Sequence, residues 1–230
     1  MRLFVVVLFA AGVLAAGACG ASDDAADEGG DKKTARSGTL FRLPERGSIP
    51  PGNYVTEEFE PGLSFSVEGR GWEVFLSEEQ DAFVIGKRTS VGFLNVPRVF
   101  DQGKPGEAIQ QPVPDDMVAW IERHPYLDAT EPEKTTVGGV SAEQIDVVAA
   151  KLPMQYPRIC QGPCVPLFTW SEAMGDYWLG LDEKVRIVVL EDDVEEKALM
   201  ILIAGAPDEF ERFLPRAQRV LDSVEWEDLS

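Results

Sequence analysis

The sequence predicts an α+β domain in which helices flank an antiparallel β-sheet. Alternating or β-branched apolar runs recur between residues 63 and 203, and Gly and Pro separate them. An internal segment near residue 117 has the start and stop signals of a helix. The segment 207–226 places apolar side chains three and four residues apart, which is typical of an amphipathic helix.

Four strands are predicted in the first half of the domain, because apolar and polar residues alternate there between turn residues. They lie at 63–67, 72–76, 82–85 and 90–100. The internal helix follows, with Asp115 or Asp116 as its N-cap, Val118 and Ile121 facing inward, and Pro125 as its stop.

The carboxy-terminal third begins with strands at 135–140 and 144–149. The β-branched runs 185–190 and 198–203 then predict a hairpin with an acidic, solvated tip. The closing helix presents one apolar stripe formed by Phe210, Phe213, Leu214, Ala217, Val220 and Leu221. Pro215 lies inside this helix and should bend it, because proline removes one hydrogen bond of the ladder.

Composition excludes several classes of partner. The chain has 230 residues, of which 44% are hydrophobic and 27% charged, which is typical of a globular protein. It contains 21 Lys and Arg residues and 40 Asp and Glu residues, which gives a formal net charge of -19. A surface of that sign repels phosphate, so we expect no nucleic-acid partner, and it does not attract anionic lipid by its net charge.

Residues 1–18 are predicted to be an export signal peptide. Arg2 precedes an apolar run that gives way to small residues, and the run is short for a spanning helix. The segment Ala16-Gly17-Ala18-Cys19 resembles the lipobox of bacterial lipoprotein precursors; it departs from the commoner pattern at Ala16, where Leu is usual. The resemblance implies a diacylglycerol on the Cys19 thiol and cleavage before that residue.

Two acyl chains hold a protein stably on a bilayer, so such a lipid would be a sufficient anchor. The expected location is therefore the extracytoplasmic face of the cell membrane. A soluble secreted protein and an uncleaved signal anchor remain alternatives. Residues 19–47 lack apolar periodicity and are predicted to be a flexible acidic tether, and residues 48–230 a single globular domain.

Three stretches of the domain together resemble exported, often actinobacterial lipoproteins with a PsbP-like fold. They are Gly52 to Trp72 with its alternating apolar residues, Val137-Gly138-Gly139 with the strand after it, and the closing segment Val220 to Trp226. The resemblance implies an antiparallel sheet flanked by helices. It implies no shared activity and no catalytic residues.

Cys160 and Cys164 are predicted to form a disulfide, because an exported chain folds in an oxidising compartment. Redox activity, metal binding and free thiols are the alternatives. Around this loop the sequence is rich in aromatic residues, which predicts a rim for an apolar ligand at Tyr156, Phe168, Trp170, Tyr177 and Trp178. The alternative is that these side chains cover one end of the sheet.

No catalytic, metal or cofactor motif is evident in the sequence. His124 is the one histidine, and we expect it to be structural, with a cationic ring favoured at a helix end. The acidic segment 191–196 lacks the spacing of a calcium loop. We therefore expect a non-catalytic binding or accessory domain of the cell envelope, contacting a small apolar ligand or an envelope protein. A hydrolase with unidentified carboxylates and a purely structural envelope component are the rivals.

Overall fold

The computed structural model describes residues 39–230 except 57, 78–80, 86–87, 102–108, 151, 153–162, 172–174, 195–196, 228 and 230. The predicted signal peptide, Cys19 and most of the predicted tether lie outside this range. Residues 37–230 form one compact unit. Among the described residues no helix combines the length and the apolar character that crossing a bilayer requires.

The described residues form seventeen strands and two helices. In chain order they are β1 (Leu40–Arg42), β2 (Gly47–Ile49), β3 (Gly52–Val55), β4 (Leu63–Val67), β5 (Trp72–Ser77), β6 (Asp81–Ile85), β7 (Thr89–Val96), β8 (Arg98–Phe100), β9 (Gln110–Pro112), α1 (Met117–Glu122), β10 (Leu127–Ala129), β11 (Glu133–Val137), β12 (Val140–Ala149), β13 (Cys164–Ser171), β14 (Gly175–Gly180), β15 (Lys184–Val194), β16 (Lys197–Gly205), α2 (Pro207–Leu221) and β17 (Glu225–Trp226).

Three sheets are built from these strands. The central sheet has the order β10-β12-β15-β16-β7-β6-β5-β2, with β11 also paired to β12. A second sheet, the outer sheet, has the order β14-β13-β8-β9, and a third, the tether-side sheet, has the order β1-β3-β4-β17. The pairing of β1 with β3 is parallel. The predicted hairpin is confirmed, because β15 and β16 pair antiparallel from Lys184 opposite Gly205 to Val194 opposite Lys197.

Both faces of the central sheet are buried. Along β16, Leu199, Ile201 and Ile203 belong to one hydrophobic cluster, together with α2 and the tether-side sheet. The intervening side chains Met200 and Leu202 belong to a second cluster, together with α1 and the outer sheet. A strand with two buried faces has a continuous apolar run rather than an alternating one, which accounts for the sequence of β16.

The prediction of a helix-flanked, PsbP-like α+β domain is wrong. The structure is mostly β-sheet, in several sheets, with two helices among the described residues. One face of the central sheet is covered by the outer sheet and by α1, a helix of six residues. On the other face α2 shares the cover with the tether-side sheet. Short strands such as β8, β9 and β17 have too few residues to show a periodicity, so sequence patterns did not reveal the extra sheets.

Both predicted helices are present. Asp116 caps α1 by accepting a hydrogen bond from the Ala119 N–H at 2.8 Å. In α2 the predicted stripe is buried at Phe210, Phe213, Ala217, Val220 and Leu221, and the helix continues through Pro215. The first strand, β1, lies ahead of the boundary predicted at residue 48, so structure begins within the segment predicted as tether.

Candidate functional site

The residues predicted as an apolar ligand rim are divided between two faces of the outer sheet. Phe168 on β13 and Tyr177 on β14 face the central sheet, with exposures of 0% and 5%. Their rings stack at 5.1 Å, and Trp170 meets Tyr177 edge-on at 5.0 Å. These three side chains belong to the second cluster or pack against it. This position agrees with the alternative given above, in which the aromatic residues cover one end of the sheet instead of lining a ligand site.

Trp178 lies on the opposite face of the outer sheet, because side chains alternate along β14. Its ring is 5.6 Å from that of Phe100, the last residue of β8. Tyr156 lies outside the described residues. The structure therefore does not bring the described members of the predicted rim together around one cavity.

The predicted disulfide falls partly outside the described residues. Cys164 is the first residue of β13 and is buried. Cys160 is not among the described residues, so its pairing with Cys164 stays a prediction. Cys19, the predicted lipidation site, likewise lies outside the described range.

The candidate site is a cleft of about 660 Å³ at the end of the central sheet, which we call the proline cleft. Its walls come from the bend between β7 and β8, from the segment joining β9 to α1, and from the β15–β16 hairpin. The apolar wall residues include Pro97, Pro112, Pro114, Met117, Leu190 and Ala198. Proline at three wall positions fixes the backbone, because the ring locks φ.

Five polar residues line the same cleft: Arg98, Gln110, Gln111, Asp115 and Lys197. Arg98 and Lys197 are donors only, Asp115 offers acceptor oxygens, and the two amides offer both. A volume of a few hundred Å³ is typical of small-molecule sites, although this cleft is half open and its accessible lining is somewhat more polar than apolar. The cleft can therefore hold an amphipathic molecule that presents oxygen acceptors.

A polar ladder on the outer sheet holds one of these amides in place. The Gln110 Nε2 donates to Thr169 Oγ1 at 3.0 Å and lies 3.4 Å from Asp176 Oδ1. Thr169 in turn donates to Asp176 Oδ1 at 3.0 Å. The three residues belong to β9, β13 and β14, so the ladder crosses the sheet on the face that carries Trp178. Its effect is to orient the Gln110 side chain at the edge of the cleft.

Sequence reasoning missed the proline cleft. The signal was present as Pro97, Pro112 and Pro114, which bracket a pair of glutamines, but these residues are distant in the chain from the β15–β16 hairpin. Only the pairing of β16 with β7, whose last residue Val96 precedes Pro97, brings the two walls together.

His124 is buried and lies apart from the cleft. Its Nδ1 accepts a hydrogen bond from the Tyr126 N–H at 3.2 Å, and its ring meets those of Trp120 and Tyr126 edge-on. Burial lowers the pKa of His124 to about 4, so the ring is neutral at pH 7. The expectation of a cationic ring stabilised by the helix end is therefore wrong, because desolvation outweighs the dipole.

One carboxyl group with a perturbed pKa lines a second cleft. This cleft, of about 480 Å³, is lined by Asp182, Glu183, the turn at Arg88 and the start of α2. Burial raises the pKa of Glu183, and the charge of Asp182 adds to the increase. Burial of Tyr177 itself, followed by the charge of Glu183, raises the pKa of Tyr177 well above its ordinary value. Glu183 therefore interacts with Tyr177, a tyrosine of the hydrophobic core, and we interpret the role of this pair as structural.

Metal binding finds no support among the described residues, where no group of three His, Cys, Asp or Glu side chains could hold an ion.

Comparison with known proteins gives no family. No family model matches the chain, and no curated protein matches it. Among solved structures it is similar to LpqN, described as involved in cell envelope biogenesis of Mycobacterium tuberculosis. The identity is 11%, the match covers 79% of this chain and 90% of that one, and the TM-score is 0.30. A similarity at this level carries no inference about fold or activity.

Proposed function

We propose that this chain is a lipid-anchored protein of the extracytoplasmic face of a bacterial membrane, and that its domain binds a small amphipathic ligand without transforming it. The observation that carries the binding role is the proline cleft, which combines three prolines and other apolar residues with five polar residues. The lipobox-like segment ending at Cys19 supports the anchor.

The ligand class follows from the lining of the cleft. Arg98 and Lys197 are donors only, and the Gln110 amide nitrogen is already hydrogen-bonded to Thr169, so the bound molecule should carry carbonyl, hydroxyl or anionic oxygens that the two cations can bind. The proline and Met117 walls favour an apolar body beside that polar group. A binding role is preferred to hydrolysis because, among the described residues, Asp115 is the one carboxylate that lines the cleft, and His124 lies buried elsewhere.

The binding role is tested by native mass spectrometry of the protein released from its host membranes in mild detergent. Wild-type protein should carry a bound small molecule. Gln111→Trp, which places an indole in the cleft, should lose it. Thr136→Trp is the matched control, because Thr136 is an exposed residue of β11 that does not line the cleft. Equal occupancy in the two variants, or no bound mass in the wild type, would contradict the proposal.

The anchor is tested separately by membrane fractionation. Replacing Cys19 with Ala removes the thiol that would carry the lipid, so the chain should move from the membrane fraction to the soluble one. Retention of the Cys19→Ala protein in the membrane after removal of the leader would exclude lipidation as the cause of attachment.

A further inference from the structure

The first strand of the domain exposes two large apolar side chains at the end where the tether enters. In β1, Leu40 and Phe41 are 51% and 48% exposed. The strand lies at one edge of the tether-side sheet, with β3 on its inner side. Exposed apolar residues on an edge strand are typical of a surface that contacts a partner or a membrane, so we ask what covers these two side chains.

Phe41 is held in place although it is half exposed. Its ring lies 6.0 Å from that of Tyr54 and packs over Gly52. The chain after β1 is anchored by the buried Leu43, whose N–H donates to Val55 O at 2.8 Å. The outward position of Phe41 is therefore fixed by packing on one side of the ring, while the other side faces solvent.

The length of the tether limits how far this strand can be from the anchor. Twenty residues separate Cys19 from Leu40. As a flexible coil, a linker of that length has a root-mean-square span of about 25 Å. If Cys19 carries the lipid, β1 is the element of the described domain nearest the anchor along the chain.

Charge along the chain favours the same surface. The domain as a whole is acidic, yet the segment 32–46 contains five basic residues and one acidic residue. Two of the five, Arg42 and Arg46, line one cleft beside β1 together with Glu45 and Glu58, and Arg42 lies 3.4 Å from Glu58. Arg46 also lies 5.8 Å above the ring of Phe75, which is 43% exposed. Basic and aromatic side chains together are typical of a surface that rests on anionic headgroups.

We propose that the edge formed by β1 rests on the anionic bilayer to which the tether is anchored, with Leu40 and Phe41 entering the headgroup region from the two faces of that edge and Arg46 meeting lipid phosphates. This inference rests on the proposed lipid at Cys19. It orients the domain, because contact through β1 places one edge of the tether-side sheet against the membrane. The net charge of the domain opposes close approach of its other surfaces.

The test uses the full lipid-anchored chain in vesicles of phosphatidylglycerol and phosphatidylcholine in equal parts, with bromine on the acyl chains as a quencher. A tryptophan is added by Phe41→Trp in one protein and by Thr136→Trp, on β11 of the central sheet, in a matched control. The signal is the added fluorescence relative to wild type. We expect quenching of the added Trp to be at least twofold greater for Phe41→Trp, and to fall in vesicles of phosphatidylcholine alone.

Leu40→Trp serves as a second reporter should Phe41→Trp change the urea midpoint. Equal quenching at the two positions, while both proteins still float with vesicles, would overturn the contact and leave the anchor standing. A dimer formed through β1 under those conditions would also overturn the membrane contact, because β1 would then bind a second copy of the chain. Failure of the proteins to float at all would overturn both this inference and the proposed anchor.

Discussion

Gly138 and Trp226 are in direct contact, although 88 positions separate them in the chain. A Cβ added at Gly138 would lie 2.5 Å from Trp226 Cδ1 and 3.1 Å from the Val224 carbonyl oxygen. The indole Nε1 donates to the Val137 carbonyl oxygen at 3.0 Å. The turn between β11 and β12 is therefore clamped to the end of the chain by one side chain.

Gly138→Ala should destabilise the domain more than Gly139→Ala. Both glycines have positive φ, at 60° and 88°, so each substitution carries a backbone cost of about 1 kcal/mol. Only at Gly138 does the added methyl meet Trp226, which should cost about 2 kcal/mol more. Urea unfolding of the two variants measures the difference, and equal midpoints would show that Trp226 moves aside freely.

Loss of Asp146 should destabilise the domain by about 2–3 kcal/mol, because it leaves a half-buried cation without its partner. The Arg186 Nε and Nη2 atoms lie 2.6 and 3.1 Å from the two oxygens of Asp146, and the side chains are 20% and 12% exposed. Asp146→Ala is compared with wild type by urea unfolding at low and high salt.

The control for that prediction is the pair of Arg42 and Glu58, which lie 3.4 Å apart with side chains 59% and 50% exposed. Exposed pairs are screened by water and salt, so Glu58→Ala should change stability by less than about 0.5 kcal/mol. Equal effects of the two substitutions would mean that burial does not strengthen the Asp146 pair.

Stability should fall on acidification because of His124. Its folded pKa of about 4 lies below the ordinary 6.5, so the unfolded chain takes up a proton first as the pH falls. The contribution is complete above pH 6.5 and is lost between pH 6.5 and 4. At pH 5 the loss amounts to about 2 kcal/mol relative to pH 7.

The variant His124→Asn, which keeps an acceptor for the Tyr126 N–H, removes this titration. The difference in unfolding free energy between pH 7 and pH 5 should therefore be smaller in the variant than in wild type. If the unfolding free energy of the two proteins fell equally between pH 7 and pH 5, carboxylates and not His124 would account for the loss of stability at acidic pH.

Pro215→Ala should stabilise α2 by about 1–3 kcal/mol. Proline at this interior position has no N–H to donate to the carbonyl four residues earlier, and it crowds the preceding turn. Its side chain is exposed, so alanine leaves the buried stripe unchanged. Arg212→Ala, another exposed position of α2, is the control and should stay within about 0.5 kcal/mol of wild type in thermal unfolding. A lower midpoint for Pro215→Ala would indicate that the proline serves the packing of α2.

Local patterns predicted the elements well where several residues repeat. Leu63–Val67, Trp72–Ser77 and the β15–β16 hairpin follow from alternation or from β-branched runs, and α2 follows from its apolar stripe. The Asp116 cap follows from side-chain chemistry within one turn. These features depend on residues close in the chain, so the sequence contains the whole signal.

The layers could not be predicted in the same way. An alternating pattern indicates that one face of a strand is buried, but it does not show what covers that face. The sequence therefore predicts Phe168 and Tyr177 at the rim of a ligand site, whereas in the structure they pack between two sheets. The short strands of the outer sheet are stabilised by partners far away in the chain, such as Thr169 opposite Arg98. A resemblance based on turns and core positions implied helices on the sheet where the structure has further strands.

The sequence by itself determined the acidity, the positions of most long strands and the amphipathic closing helix, because each depends on neighbouring residues; the export signal and its cysteine stay predictions from the same kind of local pattern. Only the tertiary structure decided that three sheets stack, that His124 is neutral, and that Pro97, Pro114 and Leu190 line one cleft. The physical reason is that strand pairing joins segments distant in the chain, and burial and cavities exist only after those segments have met.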